Sequence, residues 1–368
     1  MIFDIFSSVV NPSRSCYSFH RDPCGAECIP APTTPLKPYD ESVRSMRNHH
    51  CYKPPWMFRN GHLQTLYPGL FRSVKGVVFE RRRITTPDGD FLDLDWSRVG
   101  SRRLAVISHG LEGHSRRPYM LGMARALNDD HIDVLAWNYR GCGGEPNRLV
   151  RMYHNGVTDD LHRVVAHGLE AGGYHTVYLI GFSLGGNLTL LYLGRQAEPV
   201  PQQVRAAITF SVPCDLTDAS RQMEKRANAI YMRQFLISLH QKIKAKQHRY
   251  PGILDDTGFS RIKTFQQFDD RYTAPLHGFR DAQDYWTRCS SRPWLAGIEV
   301  PALIVNALDD PFLTGGCYPL QECALNPRVT LETPRHGGHV GFVDFRADGR
   351  YWSEQRALAF IRQLGGAR

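Results

Sequence analysis

A β-branched and aromatic run, Thr176-Val177-Tyr178-Leu179-Ile180, ends in Gly181-Phe182-Ser183-Leu184-Gly185, and apolar residues follow at helical spacing (Leu184, Leu188, Leu191). Strand, tight turn, helix is the context in which Gly-x-Ser-x-Gly carries chemistry. A serine on a sharp, strained turn projects its hydroxyl above the sheet edge. The residues flanking it can carry almost no side chain, because strand and helix approach closely there. The helix that follows presents free N–H groups and a positive dipole end, both favourable to a developing oxyanion. Alone, the motif also fits an ordinary Gly-rich turn capped by a serine. What separates the two readings is whether an acid, a base and a second oxyanion donor follow in the right chain order.

The second donor comes first along the chain. Leu104-Ala105-Val106-Ile107-Ser108 is a continuous apolar run, as expected for a parallel strand buried on both faces, and it ends in His109-Gly110-Leu111-Glu112-Gly113-His114. A His-Gly turn after such a strand places the backbone N–H of Leu111 beside that of Leu184. His109 shapes the turn, and Glu112 and His114 border the entrance. Upstream, Val77 to Ile84 and Phe91 to Trp96 alternate around Pro87-Asp88-Gly89-Asp90, a hairpin signature. Met120 to Leu127 reads as a helix. Ile132 to Tyr139 reads as another buried strand, closing on Arg140-Gly141-Cys142-Gly143-Gly144. That loop lacks the Lys-Ser/Thr of a phosphate-binding loop and reads as a tight turn at the sheet edge. Asp159 and Asp160 open the next helix as dipole complements.

After the strand Ala206 to Val212, the strand–helix alternation stops. Residues 214–294 carry a helical stripe (Met223, Ile230, Tyr231, Phe235, Leu236, Leu239), then a basic segment (Lys242, Lys244, Lys246, Arg249), then aromatics and acids. An insertion at this point is where a cap over a site would sit. The sheet resumes at Pro301 to Ala307 and runs into Leu308-Asp309-Asp310-Pro311. An acid is expected at the end of a late strand. Asp310 is chosen because it directly precedes proline, with Asp309 holding the loop. Val329 to Thr333 is the last strand. In His336-Gly337-Gly338-His339 the glycines let the loop swing back, so His339 is the base and His336 the competitor. Tyr351 to Leu364 closes the chain as a helix. The order Ser183, Asp310, His339 is that of nucleophile, acid and base in α/β hydrolases.

At this point the sequence resembles the YheT-like α/β-hydrolase family, bacterial relatives of the ABHD-type acyl hydrolases. The matching strings are Lys53-Pro54-Pro55-Trp56 with His62-Leu63-Gln64-Thr65, Ser108 to Gly113, Asn138-Tyr139-Arg140-Gly141, Gly181 to Asn187, Thr273 to Phe279, Asn306 to Pro311 and His336 to His339. The resemblance covers residue 52 to the C-terminus. It implies an α/β-hydrolase fold, a mostly parallel central sheet flanked by helices with a helical cap insertion, and a serine esterase or lipase without metal or organic cofactor. The substrate is expected to be a small-molecule ester, short- to medium-chain or acylglycerol-like. Acyl transfer and thioester hydrolysis would use the same triad. The rival from another class is a silent binding scaffold, which a fluorophosphonate serine probe would separate.

Composition bounds the rest. The 368 residues are 42% hydrophobic and 22% charged, and no apolar run approaches the ~20 residues that cross a bilayer. A net charge of +9 comes from dispersed basic residues without a nucleic-acid motif, so it is read as solubilising. Nine cysteines with irregular spacing and no Cys-x-x-Cys argue against zinc and for reduced thiols in a cytoplasmic protein. Residues 1–50 are broken by Pro12, Pro23, Pro30, Pro32, Pro35 and Pro38 and read as a poorly ordered extension to the domain that begins at 51.

Overall fold

The computed structural model describes residues 52–365, and the expected N-terminal extension lies outside them. Eight strands form one sheet: β1 (Glu80–Thr85), β2 (Phe91–Ser97), β3 (Arg103–Ser108), β4 (Asp133–Asn138), β5 (Thr176–Phe182), β6 (Val204–Phe210), β7 (Ala302–Val305) and β8 (Val329–Glu332). Their order across the sheet is β1-β2-β4-β3-β5-β6-β7-β8. β1 and β2 pair antiparallel as the Asp-Gly hairpin, and β2 joins β4 antiparallel. All other pairings are parallel.

The continuous apolar runs explain the layering. Alternate side chains of one strand enter different cores, so both faces must be apolar. Leu104, Val106, Val177 and Leu179 join one cluster, where they meet Leu161 and Val164 of α3 (Thr158–Gly172) and Leu188 of α4 (Leu184–Arg195). Ala105, Ile107, Tyr178 and Ile180 join the other. There they meet Met120 and Met123 of α2 (Pro118–Asp129) and Leu358 and Ile361 of the closing helix Trp352–Gly365. A short helix, α1 (Gly61–Phe71), packs against the C-terminal segment, where Val343 N–H donates to Gln64 Oε1 at 2.8 Å, and Gln64 Nε2 donates to Phe58 O and to Tyr52 Oη at 2.8 Å each.

The insertion between β6 and β7 is helical. It contains α5 (Leu216–Met223), α6 (Ala229–Gln247) and α7 (Ala282–Cys289), and Met223, Met232, Leu236, Leu239, Phe268 and Tyr272 share a core with Met152 and Phe312 from outside it. The stripe expected to run from Met223 to Leu239 is two helices, not one. The chain breaks at Asn228, whose Nδ2 donates to Gln222 O at 3.0 Å and to Pro311 O at 2.7 Å, tying the break to the loop after β7.

Two basic residues, one in the Arg140 turn and one in the basic segment, are buried by distant chain. The first is in the Arg140 turn. Arg140 is almost fully buried, donates twice to Asp160 (2.7 and 2.8 Å) and reaches Asp90 at 3.0 Å and Asp88 at 2.9 Å. Asp160 is therefore an ion-pair partner, not merely a dipole complement. The second is in the basic segment of α6. Lys246 turns inward and donates to Asn147 Oδ1 (3.0 Å) and to the carbonyls of Leu149, Val150 and Arg151.

Candidate active site

The parallel register brings the strand ends level. Ser108 pairs with Gly181, Phe182 with Phe210, Phe210 with Val305 and Val305 with Glu332. The loops that leave this one edge carry Leu111, Ser183, Ser211, Asp310 and His339.

Ser183 sits between β5 and α4 at φ 53°, ψ −119°. A non-glycine residue there is strained by on the order of 1–3 kcal/mol, and such strain persists only where the surroundings over-determine it. They do so through close packing. A Cβ on Gly181 would stand 2.4 Å from the Gly185 carbonyl oxygen, and one on Gly185 would stand 2.4 Å from that of Ser108. Strand and helix could not approach this far around larger residues. The backbone closes the turn with Ser183 N–H donating to Phe210 O at 2.9 Å.

His339 Nε2 lies 2.8 Å from Ser183 Oγ, and its Nδ1 lies 2.9 and 3.1 Å from the two carboxylate oxygens of Asp310. A carboxylate only accepts, so Nδ1 carries the hydrogen and Nε2 is left as the acceptor facing the serine. The Asp310 side chain is fully buried, and its Oδ1 also accepts from Phe312 N–H at 2.9 Å. Asp309 does different work. It accepts from Gly338 N–H at 2.8 Å and pairs with His336 at 3.2 Å, so the two Asp–His pairs are separate. Burial raises the Asp309 carboxyl above the usual carboxylate range, with Gly338 and His336 opposing the rise.

The histidine loop is held by residues that sequence reasoning passed over. His339 N–H donates to Thr65 Oγ1 at 2.9 Å. Val340 N–H donates to Ser211 Oγ at 2.8 Å, and the ring of Phe312 lies 4.2 Å from that of His339. Ser211, Val340 and Phe342 all have positive φ, so strain concentrates around this loop as it does at Ser183. Thr65 falls within the family-like string His62-Leu63-Gln64-Thr65. Nothing local marks Ser211.

Leu111, Ser183, Leu184 and His339 line one cavity of about 130 Å³, and Asp310 stands behind His339. Among the described residues, neither the Leu111 nor the Leu184 N–H donates to a protein acceptor. His109 is buried, its Nδ1 donating to Gly110 O at 2.8 Å and its Nε2 accepting from Tyr139 N–H at 3.3 Å. Burial pushes its imidazole down to about 3, so it is a neutral brace for the turn, as expected. The rest of the cavity is mostly apolar and comes largely from the insertion, through Phe235, Leu239, Phe265, Phe268 and Trp286. Among the described residues no cluster of three or more His, Cys, Asp or Glu is arranged to hold a metal, and no helix is long and apolar enough to cross a membrane.

Comparison with known proteins adds to this geometry. Residues 106–345 match the family model of the alpha/beta hydrolase fold. The chain is 37% identical to YheT of Escherichia coli (strain K12), which carries the name of an esterase, over 78% of this chain and 85% of that one. It is 28% identical to the human phospholipase ABHD3 over 83% of this chain and 78% of the relative. Among solved structures, a Pyrococcus furiosus esterase, Pf2001, superposes with a TM-score of 0.52 at 16% identity, covering 78% of this chain and 91% of that one. At that identity the likeness speaks for the fold.

Proposed function

The chain belongs to the α/β-hydrolase family, in the group that includes YheT, and on that premise we propose that it is a carboxylic ester hydrolase working through Ser183, His339 and Asp310. The observation that carries this reading is the continuous hydrogen-bonded line from Asp310 through His339 to a strained serine facing an apolar cavity. His339 Nε2 takes the Ser183 proton as Oγ attacks the acyl carbonyl. Asp310 holds the tautomer and stabilises the imidazolium. The N–H groups of Leu111 and Leu184 receive the oxyanion, and one such donor is typically worth about 10²–10³ in rate. His339 then gives the proton to the departing alcohol. In the second half it activates water, which releases the acid from the acyl-enzyme.

The apolar cavity under residues 214–294, which we read as a cap, favours a short- to medium-chain acyl group or an acylglycerol-type lipid. The free thiols among the described residues (Cys142, Cys214, Cys289, Cys317, Cys323) fit a reducing, cytoplasmic setting. The test uses p-nitrophenyl esters of increasing acyl length with the native protein and Ser183→Ala. Native turnover with a loss of about 10⁶-fold in the variant is expected. Equal release by both proteins would exclude Ser183 as the nucleophile.

A further inference from the structure

Helix α1 (Gly61–Phe71) is the wrong way round for a helix at the surface of a domain. Such a helix normally turns its apolar stripe inward and its charges to water. α1 contains no Asp, Glu, Lys or Arg. Its inward side carries Gln64 and Thr65, which are bonded to Tyr52, Phe58, Val343 and His339. Its outward side carries Leu66 and Leu70, one turn apart, and the helix ends in Phe71; Leu70 is 70% and Phe71 69% exposed. The apolar surface continues into neighbouring chain. The Tyr67 ring lies 5.1 Å from that of Phe71, 5.9 Å from Phe345 and 4.8 Å from Phe58. Phe345 is exposed, and the turn that holds Phe58 also presents Met57 and Trp56, the latter 78% exposed. Single exposed apolar side chains are ordinary, but a group gathered on one helix and its contacts marks an interaction surface.

The charge around this face has one sign. From Tyr52 to Phe79 the chain carries Lys53, Arg59, Arg72 and Lys75 and neither Asp nor Glu. Arg72 is spent on Glu354 at 2.5 Å. Lys53, Arg59 and Lys75 are exposed, and among the described residues none of them meets a carboxylate. Asp344, next to Phe345, is followed by the exposed Arg346, so that end adds no net charge. A second copy docked by the same face would set these cations against their own counterparts. Residues 1–51 would not answer the charge either, since Arg14, Arg21, Lys37, Arg44 and Arg47 are balanced there by Asp4, Asp22, Glu27, Asp40 and Glu41. An anionic lipid surface answers both features. It takes up apolar side chains, tryptophan above all at headgroup level, and attracts the cations beside them.

The face is also placed for use. The inner side of α1 carries the catalytic loop: Thr65 Oγ1 accepts from His339 N–H at 2.9 Å, and a Cβ on Gly61 would run into the Asp309 carbonyl oxygen. His62 Nδ1 lies 3.1 Å from Tyr231 Oη, which joins α1 to the insertion. A surface against α1 is therefore about one helix diameter, on the order of 10 Å, from the histidine loop.

We propose that α1, with Trp56, Met57 and Phe345 beside it, docks on an anionic lipid bilayer. The docking does not depend on the reading of Ser183, and its test uses no turnover. The full chain is sedimented with vesicles of phosphatidylcholine, and of phosphatidylcholine with about one third phosphatidylglycerol, as the native protein, Leu70→Glu and Lys75→Glu. The native chain should favour the anionic vesicles by about tenfold or more, because each exposed cation near such a surface is worth about fivefold. Leu70→Glu should weaken binding to them by about tenfold or more. Lys75→Glu should weaken it by about fivefold or more. Vesicles with brominated acyl chains should quench the native tryptophan emission, and Trp56→Phe should remove most of that quenching. Leu70 and Lys75 are exposed, so their variants fold, which unchanged thermal melting checks. Equal partition onto the two vesicles, binding unmoved by Leu70→Glu, or quenching that survives Trp56→Phe would overturn the proposal. Absence of binding by the native chain would overturn it too, and a dimer that Leu70→Glu dissociates would give the face to a second copy instead.

Discussion

Two adjacent aspartates illustrate how much one residue of register decides. Asp309 and Asp310 lie in the loop after β7, yet Asp310 is buried against His339 while Asp309 turns to Gly338 and His336. Proposed as the triad acid, Asp310 should be sensitive even to an isosteric change. Asp310→Asn would present a donor to Nδ1 and favour the wrong tautomer. Ester turnover should then fall by about 10⁴-fold with the fold intact by circular dichroism. Asp309→Asn keeps an acceptor for Gly338 N–H, so its loss should stay within about tenfold. Reversal of the two would hand the role to Asp309. The sequence pointed to Asp310 through the following proline. The strain that fixes the pair's geometry, at Ser183, Ser211 and Val340, was written in no local pattern except the glycines around the serine.

At the scale of elements, apolar patterns can be read from sequence and buried ion pairs cannot. The strands and flanking helices were legible because burial on two faces imposes apolar runs, and burial on one face imposes a helical stripe. The Arg140 turn was not. Its partners, Asp88 and Asp90 of the hairpin and Asp160 of α3, lie 52 and 50 residues before it and 20 residues after it in sequence. An ion pair of this kind has no periodicity to read. Replacing Arg140 by Met would leave the Asp160 carboxylate buried without its partner, while Asp90 keeps Asn147 and three backbone N–H donors. Urea unfolding should then show a loss of about 3–5 kcal/mol. The exposed pair Arg163–Glu170 provides a contrast, and Arg163→Ala should cost less than about 1 kcal/mol. Equal effects would mean that the Arg140 cluster is as hydrated as the surface pair.

At the scale of the whole molecule, stability should depend on pH through the insertion. Asp269 is buried and accepts from Trp286 Nε1 at 2.8 Å and from the Thr273 hydroxyl at 2.5 Å. Burial outweighs those two bonds and raises its carboxyl to about 7, from an ordinary value of 3.8. The folded protein therefore holds this proton where the unfolded chain has released it. The resulting stability is full below pH 3.8 and is lost as pH rises to about 7, with no further change above. The contribution is on the order of a few kcal/mol. Between pH 5 and pH 8 the native Tm should fall by more than that of Asp269→Asn. Parallel curves would show that Asp269 is ionised at little cost.

The order of strands and helices, the serine turn and the succession of serine, acid and base were all set within short stretches of sequence. They depend on local sterics and on which faces must be apolar, and both leave periodic or fixed-spacing marks. Which aspartate meets which histidine, and how Thr65 and Ser211 hold the His339 loop, were decided only by the folded chain. Those contacts join residues as much as 274 positions apart, and a contact between such distant residues leaves no mark on either stretch alone.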